Sequence, residues 1–187
     1  SKWWTWNYGN ESQGDGWQGA ATFQFRNFWK SSVLLTYAKK VWDDKLTRGG
    51  PTVIRPGNRG VQASLGTDAR RSVVLSVAGS YTARDYDASS AVGDLQVVWK
   101  PVPALTFVAG PSIRRNIVAA QYLSTIADPL AVSTFGRRYV FGELGQTEVS
   151  GTFRLSLVTS PRTSLQVYAQ PLISAGDYGA IKEVAAR

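Results

Sequence analysis

Residues 147–178, TEVSGTFRLSLVTSPRTSLQVYAQPLISAGDY, repeat with a period of two, and that period limits the possible folds more than any other feature of the chain. Val149, Gly151, Phe153, Leu155 and Leu157 fall on one side of an extended backbone, and Ser150, Thr152, Arg154 and Ser156 on the other, because successive side chains of a strand point to opposite faces. Ser160, Pro161 and Arg162 supply turn chemistry. After them Leu165, Val167, Ala169, Pro171 and Ile173 alternate with Ser164, Gln166, Tyr168 and Gln170. The pattern predicts a hairpin of two amphipathic strands, apolar on one face and polar, with little Lys or Glu, on the other. Lipid outside and a polar lumen inside would suit it. A hairpin of a soluble sandwich alternates in the same way, so this stretch alone leaves both architectures open.

The alternation recurs. Trp4, Trp6 and Tyr8 share one side of residues 3–8. Trp17, Gly19, Ala21, Phe23 and Phe25 oppose Gln18, Thr22 and Gln24, with Arg26 continuing the polar side. Further limbs are expected at 33–41, 61–65, 73–84, 91–100, 105–114 and 135–143, the last after a long segment, 115–134. Residues 42–59 contain TRGGP, whose two Gly and one Pro bar regular strand, so an exposed loop is expected there. About ten strands result. Short turns fall near 30–32, 66–71, 100–104 and 159–163, all at one end, because consecutive antiparallel strands emerge at opposite ends. Outer-membrane barrels sort their connections in this way. The expected fold is all-β: an antiparallel up-and-down transmembrane β-barrel, with residues 1–187 forming one partial barrel domain.

Composition narrows the chemistry. No apolar run approaches the roughly 20 residues of a membrane helix, and no signal peptide is recognisable, which leaves a barrel open. The absence of Met and the start at Ser1 are expected of a mature product or a fragment. Cys and His are both absent, which removes disulfides, Cys/His metal sites, the Ser-His-Asp triad and the usual neutral-pH general base. A paired-carboxylate glycosidase remains conceivable, but no local motif singles out a pair among the 13 acidic residues. The chain is therefore read as non-enzymatic, with no cofactor. The net charge of +8 suits an anionic partner, yet the basic residues are dispersed and no nucleic-acid-binding module is recognisable, so nucleic acid is not expected. Seven Trp and eight Tyr suit either barrel interface girdles or sugar-stacking platforms.

Two sets of residues are candidates for function. Arg26, Arg84, Lys100, Arg114 and Arg154 all fall on polar faces and in a barrel would line the lumen. There they would favour anionic solutes, or else pair with lumen carboxylates such as Asp94. Trp42, Asp43, Asp44 and Arg48 form a loop in which an aromatic beside carboxylates would stack on and hydrogen-bond a sugar; the alternative is a solvated loop with Trp42 anchoring at the interface. Asp85 and Asp87 have the spacing of part of a calcium loop without its remaining ligands, and no metal is expected.

Three stretches resemble one bacterial family: Arg48-Gly49-Gly50-Pro51, Tyr139-Val140-Phe141-Gly142, and Ser164-Leu165-Gln166-Val167-Tyr168-Ala169-Gln170-Pro171 with Gly176-Asp177-Tyr178. The family consists of outer-membrane proteins with a module like the family 9 carbohydrate-binding modules, followed by a C-terminal barrel domain of unknown function. The resemblance covers most of the chain and implies a barrel in outer-membrane lipid, acting in transport, surface binding or envelope assembly. Carbohydrate, an anionic solute or envelope proteins are the implied partners. Nothing in the chain looks like the sugar-binding module. Members also continue past the region of Tyr178 into further strands, so the resemblance implies an internal section of a larger barrel. A soluble all-β carbohydrate-binding or carbohydrate-processing domain is the alternative.

Overall fold

Alternating β-branched or aromatic residues with small polar ones favours extended backbone, and strands dominate the computed structural model, which describes residues 1–184. They are β1 (Lys2–Trp6), β2 (Ser12–Gln24), β3 (Lys30–Ala38), β4 (Val41–Asp43), β5 (Val53–Arg55), β6 (Asn58–Gly66), β7 (Val73–Arg84), β8 (Ser89–Val102), β9 (Leu105–Ala127), β10 (Arg137–Ser160), β11 (Thr163–Ala169) and β12 (Leu172–Glu183). Ten of them form one antiparallel up-and-down sheet in the order β1-β2-β3-β6-β7-β8-β9-β10-β11, with β12 also paired to β10. The β4–β5 pair stands apart as a small hairpin inside the connection between β3 and β6. The one helical turn among the described residues, Val132–Thr134, lies in the β9–β10 loop.

The all-β, up-and-down arrangement agrees with the alternation. No closed barrel forms, since β1 at one edge and β11 with β12 at the other do not pair among the described residues. Several boundaries also differ from expectation. β9 and β10 continue as a long paired arm where a long connecting segment, 115–134, is expected, with pairing from Leu105↔Leu157 to Ala127↔Arg137 and β12 flanking β10 as far as Val140. β11 and β12 lie end to end along β10, separated at Pro171, whose missing N–H breaks the edge ladder while its carbonyl still accepts Gly151 N–H at 3.0 Å. Lys30–Ser32 belongs to β3 rather than to a turn, and the reversal occupies 25–29, which removes Arg26 from the polar face of β2. Tyr8 lies beyond β1, where a register shift between Thr5 and Trp6 ends the alternation.

Hydrogen-bonded rungs carry each face across the sheet. One apolar rung runs Ala21, Val33, Ala63, Gly79, Gly93, Ile113, Val149, Ile173. The neighbouring rung on the other face runs Ala20, Leu34, Gln62, Ser80, Val92, Arg114, Glu148, Ser174. The apolar face is open: Val77 and Ile113 are each 55% exposed, and on the polar face Ala78 and Ser112 are half-buried while Gln62, Asp94 and Arg114 are exposed as well. Among the described residues no second layer covers the apolar face, and the only buried apolar side chains are Val41, Ala88, Tyr139 and Phe141.

Candidate functional site

Small polar residues on one face of a twisted sheet bring hydroxyls and amides within reach of the next strand. Ser32 and Ser64 share a hydrogen bond of 2.7 Å, Ser90 Oγ donates to Asn116 Oδ1 at 2.6 Å, and Gln146 Nε2 donates to Glu148 and to Ser174 at 3.1 and 3.0 Å. Arg114 stands opposite Val92 on one side and Glu148 on the other. Arg154 stands opposite Tyr168, and its guanidinium lies 5.6 Å from that ring centre.

The five candidate basic residues do not share a level. Arg84 is the last residue of β7, and Lys100 lies near the opposite end of β8, beside Arg70 and Arg71. Arg26 is in the 25–29 turn. Arg114 is register-matched to Ser80 through Val92, and Arg154 to Val108, which puts these two about 20 Å apart along the strands at the usual rise per residue. They form a column of separate cations, not a ring.

The loop of residues 39–57 is folded back and partly buried, at Val41, Thr47 and Gly57, while Lys45, Arg48, Gly49 and Arg55 stay exposed as expected, and the sugar-contact candidates are partly committed to holding it. Asp43 Oδ1 accepts the N–H groups of Lys45 and Leu46 at 2.9 and 3.0 Å, and Oδ2 faces Arg55 at 3.5 Å. Arg55 also donates to Gln13 O at 2.6 Å, tying the loop to β2. Trp42 sits in β4 opposite Ile54. Asp44 Oδ1 and Gln13 Nε2 are buried with no hydrogen-bond partner, so Asp44 is the loop carboxylate with capacity left for a polar ligand. Thr47 is fully buried, at 0% exposure, and donates to Pro51 O at 3.0 Å.

Where the TRGGP segment turns, Arg48 has φ 54° and Gly49 φ 97°, both in the left-handed region. That turn aims Arg48 at the β9–β10 arm, with its guanidinium 4.5 Å from the Tyr122 ring centre. Gly50 lies against the Tyr139 ring, in space that a Cβ would occupy. Tyr122 meets Phe141 edge-on at 5.8 Å, and Tyr139 and Phe141 are only 3% and 4% exposed. Because β6, β7 and β8 separate β3 from β9, this contact requires the sheet to curl and the loop to bridge its two halves.

At the opposite end, Asp68 in the 67–72 turn accepts a forked pair of hydrogen bonds from Arg70 at 2.9 and 2.8 Å. These bonds, with the Arg70 backbone N–H, lower its carboxyl to about 2. The Arg70 guanidinium also covers Phe28 at 3.5 Å, joining two adjacent turns. Asp85 Oδ2 accepts Gly57 N–H at 3.0 Å and faces Lys40 at 3.7 Å. No cluster of three or more His, Cys, Asp or Glu suited to a metal ion occurs among the described residues.

Sequence reasoning did not anticipate Tyr122, Thr47 or the seat that Tyr139 and Phe141 make for the loop. The signal was present in Gly50 and in the aromatic pair of Tyr139-Val140-Phe141-Gly142, but nothing local links them. Comparison of the chain with protein-family models, with curated proteins and with solved structures returned no match.

Proposed function

We propose that the chain is a section of a bacterial outer-membrane β-barrel, non-enzymatic, whose polar face lines a path or binding surface for polar, anionic or carbohydrate solutes. The observation that carries this reading is the open apolar face: Val77, Ile113, Val149 and Ile173 are exposed, with no layer over them among the described residues. In water so extensive an apolar surface is a liability, whereas in lipid it is the stable arrangement.

The apolar face has further features of a lipid-facing wall. Trp17 and Tyr37 stack near the loop end, and Trp99 and Phe107 are register partners near the turn end, with aliphatic residues between them. Of the outward charges, Arg59, Arg115 and Asp177 all lie toward the loop end of their rungs. Strands of 9 residues in β3 and β6 and 12 in β7 match the roughly 9–11 needed to cross. Unpaired edges are not tolerated in hydrocarbon, so the proposal includes further strands of the same protein along β1 and along β11 and β12. Two of the stretches that resemble the outer-membrane family, 48–51 and 139–142, touch each other through Gly50 and Tyr139.

Extraction of the full-length protein from envelopes tests the reading. Detergent should be required, and the folded band should migrate differently before and after boiling. A protein that is monodisperse in detergent-free buffer would end the proposal.

A further inference from the structure

The 39–57 loop, the 85–88 turn and the base of the β9–β10 arm line a half-open cavity of about 650 Å³. Its walls include Leu46, Ile54 and Pro56 from the loop, Tyr86 from the turn, and Ile117 and Val118 from β9. The volume and apolar lining are those of a small-molecule site, in which a few polar groups set orientation. Three cations border it. Arg55 is held by Asp43 and Gln13 O, and Lys182 by Glu143 at 2.5 Å and Ala119 O at 3.3 Å. Arg84 makes no ion pair among the described residues.

Arg84 also borders a second cavity, of about 410 Å³, lined by Lys39, Lys40, Arg59 and Asp85, so it stands where an apolar space and a cationic one adjoin. Lys40 Nζ lies 5.3 Å from the centre of Tyr86, the aromatic wall of the apolar space. An apolar chamber opening at an uncompensated guanidinium is complementary to a molecule with an alkyl tail and an anionic head.

We propose that this cavity binds a single-chain amphipathic anion of the fatty-carboxylate class, its tail along Ile54, Tyr86 and Val118 and its carboxylate at Arg84.

Calorimetric titration tests it, using octanoate, decanoate and dodecanoate below their critical micelle concentrations. The full-length protein would be held in phosphatidylcholine nanodiscs, or in buffer if it needs no lipid, with empty discs as the blank. Saturable one-site binding is expected, tightening about fourfold per added methylene until the cavity is filled. Arg84→Gln should weaken dodecanoate about tenfold, and Val118→Trp, which fills the chamber from a strand position, should abolish binding. Dodecyltrimethylammonium should bind far more weakly than dodecanoate. No saturable heat above the blank, equal affinity for the cationic analogue, or unchanged binding by a folded Val118→Trp protein would each overturn the proposal. None of these outcomes bears on whether the protein requires detergent for extraction.

Discussion

Gly50 illustrates how much one side chain can decide. With no Cβ, its backbone lies against the Tyr139 ring, and any larger residue must displace the ring or the loop. Gly50→Val should therefore destabilise the loop by about 1–3 kcal/mol, the usual cost of overpacking. Proteolysis within 39–57 should become faster, while Gly49→Ala, at a position with open space but φ 97°, should cost less than Gly50→Val. Asp68 offers a pH test. Its carboxyl titrates at about 2 when folded against an ordinary 3.8, because Arg70 donates to it. The depressed value means that its stabilisation is complete above about 3.8 and is lost as pH falls through about 2. Carbon-13 titration of the Asp68 carboxyl should give a midpoint near 2, and in Arg70→Gln the midpoint should return toward 3.8.

The strands make the sharpest distinction between lipid and water as the outer solvent. Ile113 and Ser112 are adjacent on β9 and point to opposite faces. If the apolar face is in hydrocarbon, Ile113→Arg near mid-strand should cost about 2–4 kcal/mol in bilayer unfolding equilibria, and Ser112→Arg much less. If the face is simply wet, Ile113→Arg should stay within about 0.5 kcal/mol, as surface substitutions do. The β9–β10 arm sets a different constraint, since its aromatics Tyr122, Tyr139 and Phe141 form a seat for a loop that starts four strands away in the sheet order. Tyr139→Ala should loosen that loop without disturbing the sheet, seen as hydrogen-exchange protection lost in 41–55 and retained in β7 and β8.

For the molecule as a whole, if the polar face lines a solute path as proposed, the placement of its cations decides what kind of path it is. A selectivity ring needs charges at one level, whereas Arg84, Arg114 and Arg154 are spread along the strands. Bilayer recordings should accordingly show that Arg114→Gln and Arg154→Gln each shift anion preference partially, with additive effects in the double variant as expected for distant sites. Complete loss of preference from either single change would show that one of them is the filter.

Period-two patterning is local, and from it alone the strand content, the two faces and the alternation of turn and loop ends could be read. Leu155 and Val167, assigned to one face by spacing, are indeed register partners. Pairing length is not local: β10 runs on through residues 142–148 because β9 and β12 flank it there, and no feature of those residues alone distinguishes strand from loop. The partial burial of the loop is not legible in its residues for the same reason. Gly and Pro in TRGGP report that regular strand is disfavoured, but whether the resulting turn meets water or an aromatic seat depends on Tyr122 and Tyr139. Those residues are brought to it only when the sheet curls, and the curl arises from the summed twist of every strand between them.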